Sequence, residues 1–225
     1  RKECPIMERQ PKAVVALFES LRVADLSHVV DNATKPYPGD PAPRLETEAD
    51  NTHDDCCVTR ISMATHTGTH IDAAAHVMHG GKRLGDYPLT AFSGSARVAD
   101  LRGLGEVDAT ALDGIEPCDW LLLCTGQSEK WGSDAYFGTE PRFTETFVKT
   151  AAKIARKGIG LDCSGLDREG VALHRLWFLS GGGLMVENLT GLEMLLSESR
   201  ILFAAYPLKL AAGDGAPVRA VALIG

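Results

Sequence analysis

Three histidines and an aspartate, His66, His70, Asp72 and His76, fall within one short run, His66-Thr67-Gly68-Thr69-His70-Ile71-Asp72-Ala73-Ala74-Ala75-His76. Imidazoles together with a carboxylate make the mixed nitrogen and oxygen donor set that zinc, manganese or iron accepts. Packing alone does not call for such a density of donors. With His66, His70 and Asp72 as ligands, the set matches the usual catalytic zinc, which has three protein ligands and a water. Binding to such an ion lowers the pKa of water from about 15.7 to roughly 7, so that hydroxide is available at neutral pH. At about 1.36 kcal/mol per pKa unit, this is roughly 12 kcal/mol of differential stabilisation. His76, with an ordinary imidazole pKa near the working pH, is then read as the group that moves the proton. The expectation is a metal-dependent hydrolase.

One segment rarely closes a metal site, so distant partners are expected, and His174 and Glu187 are the candidates. Glu187 follows the apolar run Leu184-Met185-Val186, where a buried carboxylate is costly unless a cation compensates it. His28 and His53 read as surface or satisfied core residues. His79, one helical turn past His76, reads as a supporting group or an exposed helix end. Ser180-Gly181-Gly182-Gly183 lacks the lysine of a phosphate-binding loop and reads as a turn.

The elements that must position these donors follow from the patterning. From Val58 to Asp72 the alternation predicts a strand, with Met63, Thr65, Thr67, Thr69 and Ile71 on one face and Ala64, His66, Gly68, His70 and Asp72 on the other. A helix would bring His66 to His70 but swing Asp72 away from both. Asp72 is then expected to cap a short helix through Ala73, Ala74 and Ala75 that returns His76 to it. Helices are predicted over Pro11–Leu21 and Thr144–Lys157, the second stopping at Gly158. Strands are predicted over Val23–Leu26, Ala96–Leu101, Trp120–Thr125, Ile159–Asp162, Leu184–Glu187, Ile201–Ala204 and Val218–Ile224. Between Asp31 and Pro43, four prolines enforce a long loop of the kind that is often functional. With no repeat and no linker, residues 1–225 read as a single mixed α/β domain.

A net charge of -7 with scattered basic residues argues against a nucleic-acid surface. No run approaches the roughly 18 apolar residues of a bilayer span. Six cysteines without a Cys-x-x-Cys pair suggest neither a zinc ribbon nor a disulfide scaffold, and a cytoplasmic location is expected.

The run from His66 to His76 resembles the signature His-x-Gly-Thr-His-x-Asp-x-Pro-x-His of the cyclase family of metal-dependent hydrolases, which includes bacterial kynurenine formamidase and isatin hydrolase. Only the proline departs, being Ala74 here. Further stretches are similar: Asp25-Leu26-Ser27 with Tyr37-Pro38-Gly39-Asp40, Leu123-Cys124-Thr125-Gly126, Gly160-Leu161-Asp162, and His174 with Glu187-Asn188-Leu189. The resemblance implies a swivelling β/β/α fold assembled as a homodimer or homotetramer, and a divalent metal, zinc or manganese, at one or two ions per chain. It implies that His66, His70 and Asp72 hold a first ion, that Asp72, His174 and Glu187 complete a second or shared site, and that His76 is the catalytic base or acid. Glu187 is carried as a catalytic residue as well as a ligand. Because proline restricts the residue before it, Ala74 implies a looser turn under His76.

The implied substrate is a small molecule with an amide, formamide or lactam bond. Tyr37 and Pro38 are taken as a substrate-binding lid. Trp120, Trp131, Tyr136, Phe137 and Trp177 are either pocket walls or core, and core is the commoner fate of an aromatic residue. The alternatives are a non-catalytic metal-binding protein and a hydrolase of lactones or esters.

Overall fold

The computed structural model describes Ala16 and residues 18–225. Among the described residues the strands are β1 (Arg22–Asp25), β2 (Arg44–Ala49), β3 (Val58–Ser62), β4 (His70–Asp72), β5 (Ser93–Asp100), β6 (Glu106–Val107), β7 (Cys118–Cys124), β8 (Arg142–Phe143), β9 (Ala155–Leu161), β10 (Leu184–Glu187), β11 (Ile201–Ala204), β12 (Gly215–Pro217) and β13 (Val221–Ile224). Nine of them form one sheet in the order β1-β13-β11-β5-β7-β9-β10-β4-β12, while β2-β3 and β6-β8 are separate pairs. The centre, β5-β7-β9-β10, is parallel, and the remaining pairings of the large sheet are antiparallel.

Parallel strands covered on both faces read as continuous apolar runs. Accordingly Trp120, Leu121, Leu122, Leu123 and Cys124 of β7 are all fully buried. Leu121 and Leu123 join Ile159, Leu161 and Met185 beneath two helices, Glu145–Ile154 and Ala172–Leu179, through Phe147, Val148 and Trp177. The opposite face packs Trp120, Leu122, Leu184, Val186, Phe203 and Ala222 into a second core. The mixed α/β class expected from the sequence is the class observed.

The structure differs from the sequence reading at several boundaries. Val58 to Asp72 is two strands in different sheets: β3 pairs with β2, while β4 lies between β10 and β12. The intervening residues turn, and Gly68 takes φ +67, a conformation that L side chains avoid. Helix Glu145–Ile154 starts where predicted, with Thr144 Oγ1 accepting the Phe147 N–H at 3.2 Å. It ends earlier than predicted because β9 begins at Ala155. Gly158 therefore does not stop a helix: it lies inside β9, where a Cβ would strike the Leu184 carbonyl and come within 2.7 Å of Trp120. Val218–Ile224 is shortened to β13, with the unpredicted β12 just before it. Helix Ala172–Leu179 was not predicted either. Of the helix expected over Pro11–Leu21, Ala16 and residues 18–20 are helical, and residues 11–15 and 17 lie outside the described residues.

Since Gly158 owes its identity to close packing, Gly158→Ala is expected to destabilise the fold by about 1–3 kcal/mol. A lower urea midpoint, with unchanged far-ultraviolet circular dichroism in buffer, is the expected result.

Candidate metal centre

The three-residue strand β4 is the axis of the site. His70 and Asp72, two apart in a strand, project to the same side, and antiparallel pairing sets Glu187 of β10 directly opposite His70. His66 arrives from the turn that Gly68 permits, so it reaches the cluster without sharing a strand with His70 as the sequence suggested. His174 comes from helix Ala172–Leu179, whose start is held by Asp167: its carboxylate accepts the backbone N–H groups of Leu173 and His174, both at 2.9 Å. Residues far apart in sequence, His174 and Glu187 against Asp72, are thus brought together as expected.

The donor atoms converge. His66 Nδ1 lies 2.8 Å from Asp72 Oδ1, and His70 Nε2 lies 3.4 Å from the same oxygen and 3.5 Å from Glu187 Oε2. His174 Nε2 is 2.8 Å from Glu187 Oε1. One ligand atom each from His66, His70 and Asp72 falls within a 4.8 Å span, and the same holds for Asp72, His174 and Glu187. Asp72 belongs to both groups.

Two of these atoms test whether a cation fits. His66 Nδ1 and Asp72 Oδ1 are shielded from solvent and face each other at 2.8 Å as an ion pair, without the geometry of a directed hydrogen bond. A buried polar atom that lacks a well-directed hydrogen bond costs about 1–3 kcal/mol, and here two such atoms point at common ground. A divalent cation would satisfy both atoms once His66 gives up its proton, and the nitrogen and oxygen donor set suits it. The residues fit such an ion.

Supporting contacts fix which nitrogen of each imidazole faces the cluster. His70 Nδ1 is 2.9 Å from the Gly68 carbonyl, which can only accept, so Nδ1 carries the proton and Nε2 is left for ligation. That carbonyl also accepts from Asn188 Nδ2 at 2.9 Å, and the Tyr136 hydroxyl donates to Asn188 Oδ1 at 2.7 Å. His174 Nδ1 lies 2.6 Å from Asp167 Oδ2, leaving Nε2 for the centre.

His76 closes a 3-10 turn, Ala74–His76, that carries no side-chain cap. The expected cap by Asp72 does not form because that carboxylate is turned into the cluster. The His76 ring lies beside His66, 3.9 Å between centroids. It stands outside the inner donors, with Nδ1 3.7 Å from Asp214 Oδ2 and a side chain 30% exposed.

Burial opposes protonation of His66, but the Asp72 and Asp214 carboxylates outweigh it and raise its pKa to about 9. His174 is likewise opposed by burial and raised to about 10 by Asp167 and Glu187. Burial raises the Asp72 carboxyl, yet the imidazoles of His70 and His66 hold it below the ordinary carboxylate range. For His76, burial dominates and lowers the pKa, so the ring is neutral near pH 7.

The cluster floors a cavity of about 520 Å³ whose walls include Lys35, Pro36, Tyr37, Trp131 and Phe137. Tyr37, expected in a substrate-binding lid, is among the lining residues. Pro38 is not: it is exposed, and Pro36 takes the place expected of it. The two wall loops touch, through a Lys35–Asp134 ion pair at 2.5 Å and an edge-on Tyr37–Phe137 contact at 5.6 Å. Trp120, Trp177 and Tyr136 are core. His28 is half-buried, its ring stacked on Trp131 at 4.1 Å with Nε2 shielded from solvent and unpaired. His53 and His79 are exposed.

Two residues escaped the sequence reading. Asp167 anchors the first turn of a helix that the sequence did not reveal. Asp214, 3.2 Å from His66 Nε2, sits between Gly213 and Gly215, and that glycine-flanked carboxylate was the one local signal of a tight turn at a site.

In the metal-free protein, His66 and His174 carry protons at pH 7, and ligation must displace them. Apparent metal affinity is therefore expected to climb as pH rises from 6 towards 9 and to fall on the acid side. Calorimetric titration in buffers of different ionisation enthalpy should register the released protons.

Comparison with known proteins places this geometry. The family described as "Putative cyclase" matches residues 24–168. The kynurenine formamidase of Salinibacter ruber is 28% identical over 218 residues, covering 89% of this chain and 97% of that protein. A "predicted metal-dependent hydrolase" from Bacillus stearothermophilus superposes with a TM-score of 0.71 at 28% identity, covering 91% of this chain and 98% of the other. Isatin hydrolase A from Labrenzia aggregata shares the fold, with a TM-score of 0.78 at 24% identity over 95% of this chain and 98% of its own. A match across more than half of the chain, spanning the run from His66 to His76 that builds the centre, shows that this protein belongs to the cyclase family.

Proposed function

We propose that the protein is a metal-dependent hydrolase that cleaves the C–N bond of an amide, formamide or lactam in a small molecule. The observation that carries this reading is the solvent-shielded convergence of His66 Nδ1 and Asp72 Oδ1 just beneath an open cavity that His66, His70, His174 and Glu187 line, beside a neutral His76. The likeness to kynurenine formamidase supports the amide class.

A divalent ion held at these residues, zinc or manganese and one or two per chain, would supply Lewis-acid polarisation of a carbonyl and acidification of water at neutral pH. His66, His70 and Asp72 would hold one position, and Asp72, His174 and Glu187 would offer a second. Because both Glu187 oxygens are turned to His174 and His70, its part is to hold the ion. His76 is neutral and faces the cavity, which suits it to accept the proton of the attacking water and return it to the departing nitrogen. Trp131, Phe137 and Tyr37 offer flat apolar walls to a planar substrate.

A homodimer or homotetramer is part of the proposal. Val23 and Leu202, both exposed, flank Leu223 in one cross-strand row on the sheet, an apolar line suited to a second copy. The exposed thiols of Cys56 and Cys57 suit a reducing cytoplasm.

The test is a hydrolysis screen of N-formylkynurenine against isatin. Chelation is expected to abolish turnover and added zinc or manganese to restore it, while His76→Ala lowers kcat by about 10²–10⁴-fold. Full activity in that variant would place the proton carrier elsewhere.

A further inference from the structure

Each imidazole of the inner cluster has one nitrogen turned to the centre and the other engaged behind it. For His70 the rear partner is the Gly68 carbonyl, and for His174 it is the Asp167 carboxylate. His66 has the same arrangement in mirror image: Nδ1 faces Asp72 at 2.8 Å and Nε2 faces Asp214 Oδ2 at 3.2 Å. The two contacts differ in kind. The one to Asp214 has hydrogen-bond geometry, whereas the one to Asp72 does not, although it is shorter. A proton on Nε2 donated to Asp214 therefore leaves the Nδ1 lone pair directed at the centre.

We propose that Asp214 is the positioning residue of His66, fixing its tautomer and ring orientation for metal ligation. The proposal rests on the metal-dependent reading above. Asp214 is itself well placed for the task. Its backbone carbonyl accepts the Ala73 N–H at 2.8 Å, and the next residue, Gly215, pairs with Asp72 in the sheet. The strand that brings the carboxylate behind His66 is thus registered against the strand that carries the ligand in front of it. Gly215 completes the seat: a Cβ there would strike the His66 ring, lying 2.9 Å from Nε2 and closer still to Cε1. The imidazole is held by a hydrogen bond at its edge and a bare backbone against its face.

A rival use of the same atoms is an outer cation site, because His66, His76 and Asp214 also bring ligand atoms within 4.8 Å of one another. That arrangement needs the Nε2 lone pair, so His66 would have to bind through both nitrogens at once. The directed bond to Asp214 favours a proton on Nε2 instead.

The experiment measures zinc affinity by competition with a chromophoric chelator, independently of hydrolysis. Asp214→Ala is expected to weaken binding about 10–100-fold, as loss of such a supporting carboxylate typically does, with Asp214→Glu recovering most of it. Gly215→Ala keeps the carboxylate but displaces the ring, and is expected to weaken binding as well. Thermal melts of the metal-free variants separate this from misfolding, since only the zinc-induced rise in Tm should shrink. Wild-type zinc affinity in Asp214→Ala would overturn the proposal. So would the loss, in that variant, of one extra weakly bound ion with the tight site unchanged, which would assign the outer cation site instead. Absence of zinc binding by the wild-type chain would instead defeat the metal-dependent reading itself.

Discussion

Burial of the Asp72 carboxylate is the constraint on which the rest of the structure turns. An anion removed from water is tolerated only when positive charge and directed donors replace its hydration. Here the side chain is 1% exposed and is surrounded by His66 and His70, with His174 completing the ring of imidazoles through the second donor group. In the metal-free protein the protonated imidazoles of His66 and His174 supply compensating charge, and with an ion present the ion would do so. The histidines are thus needed in either state. The same residue that makes the chemistry possible makes an empty, uncompensated centre untenable.

The sheet meets this constraint by its strand order. A parallel core of four strands gives a rigid platform buried on both faces, and the short β4 is threaded antiparallel between β10 and β12 at its side. Flanking on both edges fixes the register of a strand that could not hold itself. Once Asp72 is set opposite Met185 and Gly215, and His70 opposite Glu187 and Pro217, the donors have no freedom to slip. A slip of one residue would turn every donor to the other face. Precision at the centre is therefore inherited from hydrogen bonds between backbones.

Much of this was legible in the sequence, and the parts that were not share a cause. The donor run and the strands Leu184–Glu187 and Ile201–Ala204 announced themselves, because side-chain chemistry and apolar runs are local signals. Glu187 could be picked out as a carboxylate ending an apolar strand. What failed was whatever depended on a partner distant in sequence. The break between β3 and β4 is set by a change of sheet, which the alternation through Met63 to Asp72 cannot register. Gly158 looked like a helix stop because its real neighbours, Leu184 and Trp120, lie in other strands. Helix Ala172–Leu179 is short and owes its start to Asp167, several residues upstream, and β12 is too brief to show a period. Asp214 acquires meaning only beside His66.

The wall of the cavity is built on a different plan from its floor. Every donor except His66 rests on a strand or helix, whereas Tyr37, Trp131 and Phe137 belong to irregular segments or short turns that meet through a single exposed ion pair and an edge-on ring contact. An exposed pair of that kind contributes only about 0–1 kcal/mol. The floor is thus held by backbone pairing and the rim by side-chain contacts, and Tyr136 is the link between them, its hydroxyl reaching Asn188 behind His70.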